Sequence, residues 1–352
     1  MKRILIVKLS ALGDVVQSLP VAMAIKKHWP DSRLDWLVES PSVGLVQGHP
    51  AVDRVLISPR YLVGKGKNGY IQVVSSFLRR LRRDRYDYVL DLQGLLKSAI
   101  FVSLARAEVK VGFSGGKEPL AARALNHRLP PYDPDRPALE RYLDTLEPLH
   151  VPRPQKVEFG LAPQEADLAR VRDLIGHVNG PLVVLHPVAK WESKLWPEEH
   201  WAELAKILSQ KGLRLITTGS AADRQVTSKI AEMADLGSGL VDLAGDTDLK
   251  HLAALMTLAN TVVTTDTGVM HLAGAVGAKV TALFGPTAPW RTGPHGKGHK
   301  IMRLGLDCSP CFRRECPDPE CMTGLTPDMV AKAALDLVSE NTAENGPPVE
   351  HI

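Results

Sequence analysis

No apolar run in this 352-residue chain reaches the roughly 20 residues that a helix needs to cross a bilayer. The N-terminal segment 1–8 looks superficially like a signal peptide, but its apolar run covers only four residues. Lys8 and Asp14 then interrupt the sequence that follows. We therefore expect neither a signal peptide nor a membrane span, and we predict a cytoplasmic protein.

A large excess of one charge sign is also missing. The chain has 43 Lys and Arg residues against 39 Asp and Glu, which gives a net charge of +4. This excess is too small to indicate a nucleic-acid partner, and we expect none. A hydrophobic content of 44% and a charged content of 23% are typical of a soluble globular protein, and the length favours two domains.

Cysteine is scarce and confined to one place. All four cysteines lie within fourteen residues, in the spacing C-x2-C-x4-C-x4-C. In an intracellular chain such clustering favours a metal or redox site over structural disulfides, although the spacing is not one of the common zinc patterns. A structural metal site and a plain cysteine-rich loop are equally open for these residues, which are Cys308, Cys311, Cys316 and Cys321.

Short β-branched runs alternate with helical stretches, and the alternation restarts after proline-rich segments at 130–137 and 151–155. This order predicts two doubly wound α/β domains, each with a parallel sheet covered on both faces. The dinucleotide fingerprint G-x-G-x-x-G is absent, so a dinucleotide site is not expected. The predicted divisions are a first domain at 1–155, a second at 156–326, a C-terminal helix at 327–339 that packs back on the first domain, and a disordered tail at 340–352.

An acidic turn follows the apolar run 260–265 and precedes a helical stretch. It contains Asp266, Thr267 and Gly268, with His271 just beyond. Free backbone N–H groups and the positive end of a helix dipole make such a turn a natural seat for a diphosphate. The alternative is plain helix capping; an aspartic protease would need two such carboxylates, and the triplet occurs only once.

A second acidic turn, Gly13-Asp14, lies between the first predicted strand and the first helix. Ligands of open α/β sheets bind at the carboxyl ends of the strands, so Asp14 is a candidate general base. The alternative is that Asp14 only caps the helix, and spacing alone modestly favours capping.

Two further loops carry polar side chains at predicted strand ends. Lys190 and Lys194 precede a predicted helix that begins near Pro197, because proline is favoured in the first turn of a helix. A lysine there could neutralise a leaving diphosphate. In the segment 91–98, Gln93, Lys97 and Ser98 could hydrogen-bond an acidic sugar. The alternative for the two lysines is that they are only solvated, and the alternative for 91–98 is a tight turn between a strand and a helix. The basic stretch 60–85 is either a solvated helix face or a surface for anionic lipid head groups.

Taken together, these segments resemble glycosyltransferase family 9, and most closely its ADP-heptose:lipopolysaccharide heptosyltransferases of type I. The resemblance covers most of the chain, in family order. The segments that carry it are 4–20, 34–39, 91–98, 117–121, 193–197, 218–219 and 265–286.

The resemblance implies a GT-B fold, with two Rossmann-like domains facing a cleft. The acceptor would bind the first domain and the nucleotide sugar the second. The implied reaction is an inverting transfer of heptose from ADP-heptose to the Kdo of a Kdo-lipid A acceptor, without a cofactor or a catalytic metal. The implied place is the cytoplasmic face of the inner membrane, to which the protein would bind peripherally. The alternatives are another family 9 enzyme that extends a heptosylated acceptor, and a non-catalytic nucleotide-sugar binder.

The resemblance also implies residue roles. Asp14 would be the catalytic base, which at a helix N-terminus is a weak base suited to a late proton transfer. The implied donor-binding residues are Lys194, Asp266, Thr267, Gly268 and His271, with Lys190, Asp223 and Thr247 as further candidates. The implied acceptor-binding residues are Gln93, Lys97 and Lys117.

Overall fold

The computed structural model describes residues 1–59, 66–176 and 180–345. The chain divides into two compact units, Met1–Leu161 and Ala162–Ile352. The division falls in an irregular segment, 151–164, which contains the prolines of the predicted linker.

The first unit contains a parallel sheet of six strands in the order β3-β2-β1-β4-β5-β6 within the described residues. Its strands are β1 (Arg3–Val7), β2 (Arg33–Val38), β3 (Arg54–Ile57), β4 (Arg85–Asp91), β5 (Arg106–Phe113) and β6 (His127–Leu129). Its α-helices are α1 (Leu12–His28), α2 (Val43–Val46), α3 (Gly66–Arg83), α4 (Leu96–Leu104) and α5 (Ala138–Asp144).

The second unit repeats this plan, with the strand order β12-β11-β10-β7-β8-β9 over the part of the chain that is described. Its strands are β7 (Leu182–His186), β8 (Arg214–Thr217), β9 (Leu240–Asp242), β10 (Thr261–Thr265), β11 (Val280–Leu283) and β12 (Lys300–Met302). Its α-helices are α6 (Glu165–Ile175), α7 (Glu198–Gln210), α8 (Arg224–Ala234), α9 (Leu249–Leu258), α10 (Gly268–Ala275), α11 (Pro289–Thr292), α12 (Glu320–Thr323) and α13 (Pro327–Asn345).

Central strands of both sheets are buried on both faces, which explains their continuous apolar sequences. Residues 4–7 of β1 and all of β7 and β10 are buried. A parallel sheet covered by helices on both faces requires such strands, because neither face meets water. The predicted α/β fold with two doubly wound units is therefore confirmed.

The strand order fixes where ligands can bind. In each sheet the chain reverses its direction of winding once, between β1 and β4 in the first unit and between β7 and β10 in the second. The loops that leave these two strands diverge and open a crevice at the carboxyl ends, the usual binding place in such folds. We call these places the first and the second switch point. Asp14 follows β1, and Asp266 follows β10.

The C-terminal helix departs from two expectations. Sequence analysis expected it to pack back on the first unit, whereas Val330, Ala334 and Val338 belong to the core of the second, with Trp201 of α7. The predicted disordered tail at 340–352 is wrong for residues 340–345, because α13 continues to Asn345; the remainder lies outside the described residues. Among the described residues no helix is long and apolar enough to span a membrane.

Candidate active site

Asp14 lies in the first turn of α1, at the first switch point. The helix begins after Ala11, which has no side chain to cap it, and the Ala11 N–H donates to Asp14 Oδ2 at 3.3 Å. The capping interpretation is therefore partly right. The Asp14 side chain is nevertheless 40% exposed, so its carboxylate can also meet a substrate.

Two buried side chains that sequence analysis missed surround Asp14. The Tyr142 hydroxyl donates to Asp14 Oδ1 at 2.9 Å, and Lys8 Nζ donates to the Tyr142 hydroxyl at 2.8 Å and to the Leu92 carbonyl at 3.0 Å. Burial lowers the pKa of Lys8, against the raising effect of Asp14. Burial and the nearby Asp14 raise the pKa of Tyr142 well above its usual value. A lysine that directly follows the apolar strand 4–7 was the one available sequence signal.

The turn after β4 is organised by a buried carboxylate. Asp91 accepts hydrogen bonds from the N–H groups of Gln93 and Gly94 at 3.0 Å and from the Ser98 hydroxyl at 3.1 Å. Burial raises the Asp91 pKa, and these hydrogen bonds oppose the rise. Gly94 has a φ of +62°, which only glycine adopts without strain. The tight-turn interpretation of 91–98 is therefore correct.

The predicted acceptor residues Gln93 and Lys97 reach the loop after β1. Gln93 Oε1 accepts the N–H groups of Leu9 and Ser10 at 3.1 and 3.0 Å. Lys97 Nζ donates to Ser10 Oγ at 2.6 Å and to Glu39 Oε1 at 3.1 Å. Both side chains therefore hold the segment that precedes Asp14 in place.

Lys117 is exposed, beyond the end of β5. Its neighbour Glu118 accepts the N–H of Leu96, the first residue of α4, at 2.5 Å. This contact keeps the segment of Lys117 beside the helix that carries Lys97.

At the second switch point the structure brings Lys194 and Asp266 together. Lys194 Nζ donates to Asp266 Oδ2 at 2.7 Å and to the Asp266 carbonyl at 3.1 Å. The Thr292 hydroxyl lies 3.3 Å from the same carboxylate oxygen. Thr267 caps α10, because its hydroxyl accepts the Val269 N–H at 3.2 Å, and Gly268 is the first helical residue. An ammonium group thus lies beside the positive end of a helix.

The Lys194–Asp266 pair is protected from solvent. The two side chains are only 15% and 5% exposed, and the Lys194 ammonium lies 4.5 Å from the centre of the Trp191 ring. The preceding residue, Ser193, donates its hydroxyl to the Arg313 carbonyl at 2.6 Å. The cysteine-bearing segment therefore supports the loop that positions Lys194.

The remaining predicted donor residues occupy different settings. His271 is buried in α10. Asp223 accepts the N–H and hydroxyl of Ser220 at 2.8 and 2.6 Å and so closes the turn before α8. Lys190 is exposed on the loop after β7, and Thr247 is half-buried between β9 and α9.

His186 is a further buried residue that sequence analysis did not single out as a site residue. It ends β7 at the second switch point, and its Nδ1 lies 3.0 Å from the Thr218 hydroxyl. Burial lowers the His186 pKa to about 4. The imidazole is therefore neutral near pH 7, so the positive charge on the loop after β7 comes from lysines, of which Lys194 is paired with Asp266.

The four cysteines are free thiols. Burial raises the pKa of Cys321, and the thiols of Cys308, Cys311 and Cys316 raise it further, so the four lie in one neighbourhood. Across the described ranges, no group of three or more His, Cys, Asp or Glu side chains is arranged to hold a metal ion.

Similarity to known proteins agrees with this arrangement. The model of glycosyltransferase family 9 (heptosyltransferase) matches residues 74–322. Lipopolysaccharide heptosyltransferase 1 of Pseudomonas aeruginosa is 30% identical over 355 residues, which cover 94% of this chain and 96% of that protein. The enzyme of the same name from Escherichia coli K12 is 29% identical over 86% of this chain and 93% of its own length.

Solved structures show the same relationship. The E. coli heptosyltransferase WaaC with ADP-2-deoxy-2-fluoro heptose has a TM-score of 0.76 at 26% identity, over 96% of this chain and 99% of that one. A family 9 glycosyltransferase from Veillonella parvula shares the fold, with a TM-score of 0.81 at 20% identity over 96% and 98% of the two chains. The chain therefore belongs to glycosyltransferase family 9, the heptosyltransferase family, and is a glycosyltransferase.

Proposed function

We propose that the protein transfers heptose from ADP-heptose to the Kdo of the lipopolysaccharide inner core, as a type I heptosyltransferase. Relatives named lipopolysaccharide heptosyltransferase 1 and the WaaC complexes with ADP and with an ADP-heptose analogue support this proposal. The observation that carries it is the Lys194–Asp266 pair at the N-terminus of α10, a seat for a nucleotide diphosphate.

The donor site is assigned to the second switch point. Two N–H groups of the Lys194 ammonium bind Asp266, so a third remains to donate to a phosphate oxygen. The N-terminus of α10, with Thr267 and Gly268, adds backbone N–H groups and positive potential. Together they stabilise the charge that develops on ADP as the bond between heptose and phosphate breaks. His271 follows in the same helix and completes the assigned donor set.

Asp14 is assigned the role of general base at the first switch point. The acceptor hydroxyl gives its proton to the Asp14 carboxylate while its oxygen bonds to the anomeric carbon and ADP leaves with the bonding electrons. A carboxylate at a helix N-terminus is a weak base, so the proton transfer comes late, after much of the glycosyl bond has broken. The exposed Lys117, with Lys97 and Gln93, is assigned to the acidic Kdo.

We also propose that the first unit binds a membrane surface through α4 and the segment that follows β5. Leu96, Ile100 and Leu120 are 47%, 59% and 55% exposed, an unusual display for large apolar side chains. Lys117 and Arg123 are exposed close by, and they complement an anionic leaflet. Part of the basic stretch named above, 60–65, lies outside the described residues; Arg79, Arg80, Arg82 and Arg83 are exposed on α3.

Vesicle sedimentation tests this surface. A triple Leu96→Ser, Ile100→Ser, Leu120→Ser variant should lose binding to vesicles that contain phosphatidylglycerol. Met329→Ser, at a 41% exposed position of the second unit, is the matched control and should bind as the wild type does. Equal vesicle binding by the triple variant and the control would contradict the proposed membrane surface on α4 and the segment after β5.

Transfer assays test the function itself. Purified protein is given ADP-heptose and either Kdo-lipid A or the same acceptor already carrying one heptose. Product with Kdo-lipid A alone supports the type I assignment. Product only with the heptosylated acceptor would show a different family 9 enzyme, and donor binding without any product would indicate a non-catalytic binder.

A further inference from the structure

Tyr142 and Lys8 form a buried hydrogen-bonded chain that ends on Asp14. Tyr142 belongs to α5, which packs against α1, and Lys8 directly follows β1. We propose that Tyr142, held in place by Lys8, is a positioning residue that orients the Asp14 carboxylate for proton abstraction. The proposal rests on the role of Asp14 as general base given above.

The direction of this chain follows from its atoms. The Leu92 carbonyl can only accept, so Lys8 Nζ donates to it at 3.0 Å. The ionised Asp14 carboxylate can also only accept, so the single phenolic proton of Tyr142 points to Asp14 Oδ1, at 2.9 Å. The Tyr142 oxygen is then left to accept from Lys8 Nζ at 2.8 Å. Lys8 therefore fixes the hydroxyl rotor that in turn fixes the carboxylate.

Burial makes this arrangement rigid on one side of Asp14 only. Tyr142 is 9% exposed and Lys8 is 2% exposed, so neither side chain exchanges partners freely with water. The Asp14 side chain keeps 40% of its surface exposed. A base held from the buried side and open on the other can meet an acceptor hydroxyl without first reorienting, which is how preorganised groups lower a barrier.

The same hydrogen bond favours the ionised form of Asp14, because the hydroxyl donates to the charged carboxylate. The charged and titratable groups around Asp14 in this chain include Lys8 after β1, Tyr142 and Arg141 on α5, Tyr132 before α5, Asp91 at the end of β4 and Lys97 on α4. Without the hydroxyl, the Asp14 carboxylate should accept its proton at a higher pH. The acid limb of the rate profile, in which kcat rises with pH as Asp14 loses its proton, should therefore shift to higher pH by about one unit.

Tyr142→Phe is the test, and the first unit offers a matched control. Tyr86 is also buried, at 4% exposure, and its hydroxyl donates to a carboxylate, Asp35 Oδ2, at 2.8 Å. Tyr86→Phe therefore removes an equivalent hydrogen bond near the start of β4, away from Asp14. The two variants are compared by thermal unfolding, donor affinity, and kcat against pH between 4 and 9.

Tyr142→Phe should lower kcat about 10-fold and shift the acid limb upward, with the donor dissociation constant unchanged. Tyr86→Phe should lose similar stability and keep the wild-type pH profile. If Tyr142→Phe does not fold, Lys8→Met removes both the donor to the same hydroxyl and the cation 3.9 Å from Asp14 Oδ2, and it should shift the limb in the same direction at least as far. A kcat and acid limb equal to those of the control would overturn the positioning role.

Failure of this inference is distinguishable from failure of the proposed function. If Asp14→Asn is inactive while Tyr142→Phe behaves as its control does, only the positioning role is lost. If Asp14→Asn transfers at the wild-type rate, the base assignment itself is wrong, and the positioning role falls with it.

Discussion

The two switch points share one topology and hold opposite chemistry. The first presents a 40% exposed carboxylate, Asp14, whose partners include the hydroxyl of Tyr142, the ammonium of Lys8 at 3.9 Å and the N–H of Ala11. The second presents Lys194, a cation that is only 15% exposed and is paired with Asp266 at the start of a helix. Both places arise from the same strand order, so the fold supplies the crevice and the loop residues decide what it can do.

Exposure and pairing separate the two roles. A general base must reach a proton on the substrate, and Asp14 is accessible although it is hydrogen-bonded. A phosphate-binding cation needs a fixed position and low solvent screening, and the Lys194–Asp266 pair provides both. The comparison predicts that changes at the first site affect the chemical step, whereas changes at the second affect donor binding and stability.

Asp14→Asn should produce the largest loss. The amide keeps the size and shape of the carboxylate but cannot accept the acceptor proton, so kcat should fall by roughly 10²–10⁴-fold. Steady-state transfer measures kcat, and calorimetry measures ADP binding, which should be unchanged. Weaker ADP binding with an unchanged kcat would reverse the assignment of the two switch points.

Lys194→Met should have the next largest effect, on stability as well as donor use. It leaves Asp266 buried without its cation, which costs roughly 3–5 kcal/mol of unfolding free energy. Denaturant unfolding measures this cost. The matched double variant, Lys194→Met with Asp266→Asn, removes both charges and should recover most of the stability but not the donor affinity. Recovery of donor affinity in the double variant would show that Lys194 acts only as a structural partner.

The buried His186 should make the second unit sensitive to mild acid. Burial depresses its pKa from 6.5 to about 4, so the unfolded chain takes up a proton between these values and the folded chain does not. Stability is therefore present above pH 6.5 and is lost as the pH falls to 4, by about 3 kcal/mol. Unfolding free energy measured against pH should fall less steeply in His186→Gln. Equal slopes in the two proteins would contradict the depressed pKa.

Gly94→Ala should have the smallest effect on stability and activity. It distinguishes the cost of backbone strain from a change in the geometry of the acceptor site. Gly94 has a φ of +62° with open space at the Cβ position, so alanine costs about 1 kcal/mol through the backbone alone. Gly176→Ala is the matched control, with a φ of +65° and equally open space. Both variants should lose similar stability, but only Gly94→Ala should raise the acceptor Michaelis constant. If both variants raised the acceptor Michaelis constant equally, the turn 91–98 would not be part of the acceptor site.

Sequence alone predicted those parts of the molecule that depend on local pattern. The alternation of short β-branched runs with helical stretches was enough to predict two doubly wound units, because buried parallel strands such as β7 and β10 form short, mainly β-branched runs. The helix α3 agrees with one interpretation of the basic stretch 60–85, that of a helix face, but its bounds were not predicted. The short edge strand β12 was missed because its three residues give no periodicity.

The candidate site was predictable only where it follows a strand in the chain. Asp14 and Asp266 stand in acidic turns just after apolar runs, and Lys194 follows the first strand of the second unit. The contact between Lys8 and Tyr142 joins residues 134 positions apart and exists only because α5 packs on α1. No spacing pattern could have indicated it.

Single-turnover transfer by Asp14→Asn at saturating ADP-heptose tests the account most directly. Because donor is saturating, any change in rate reports on the chemical step rather than on the second switch point. We expect a rate at least about 100-fold below that of the wild type. A rate within a few-fold of the wild type would contradict the division of base and donor site between the two units.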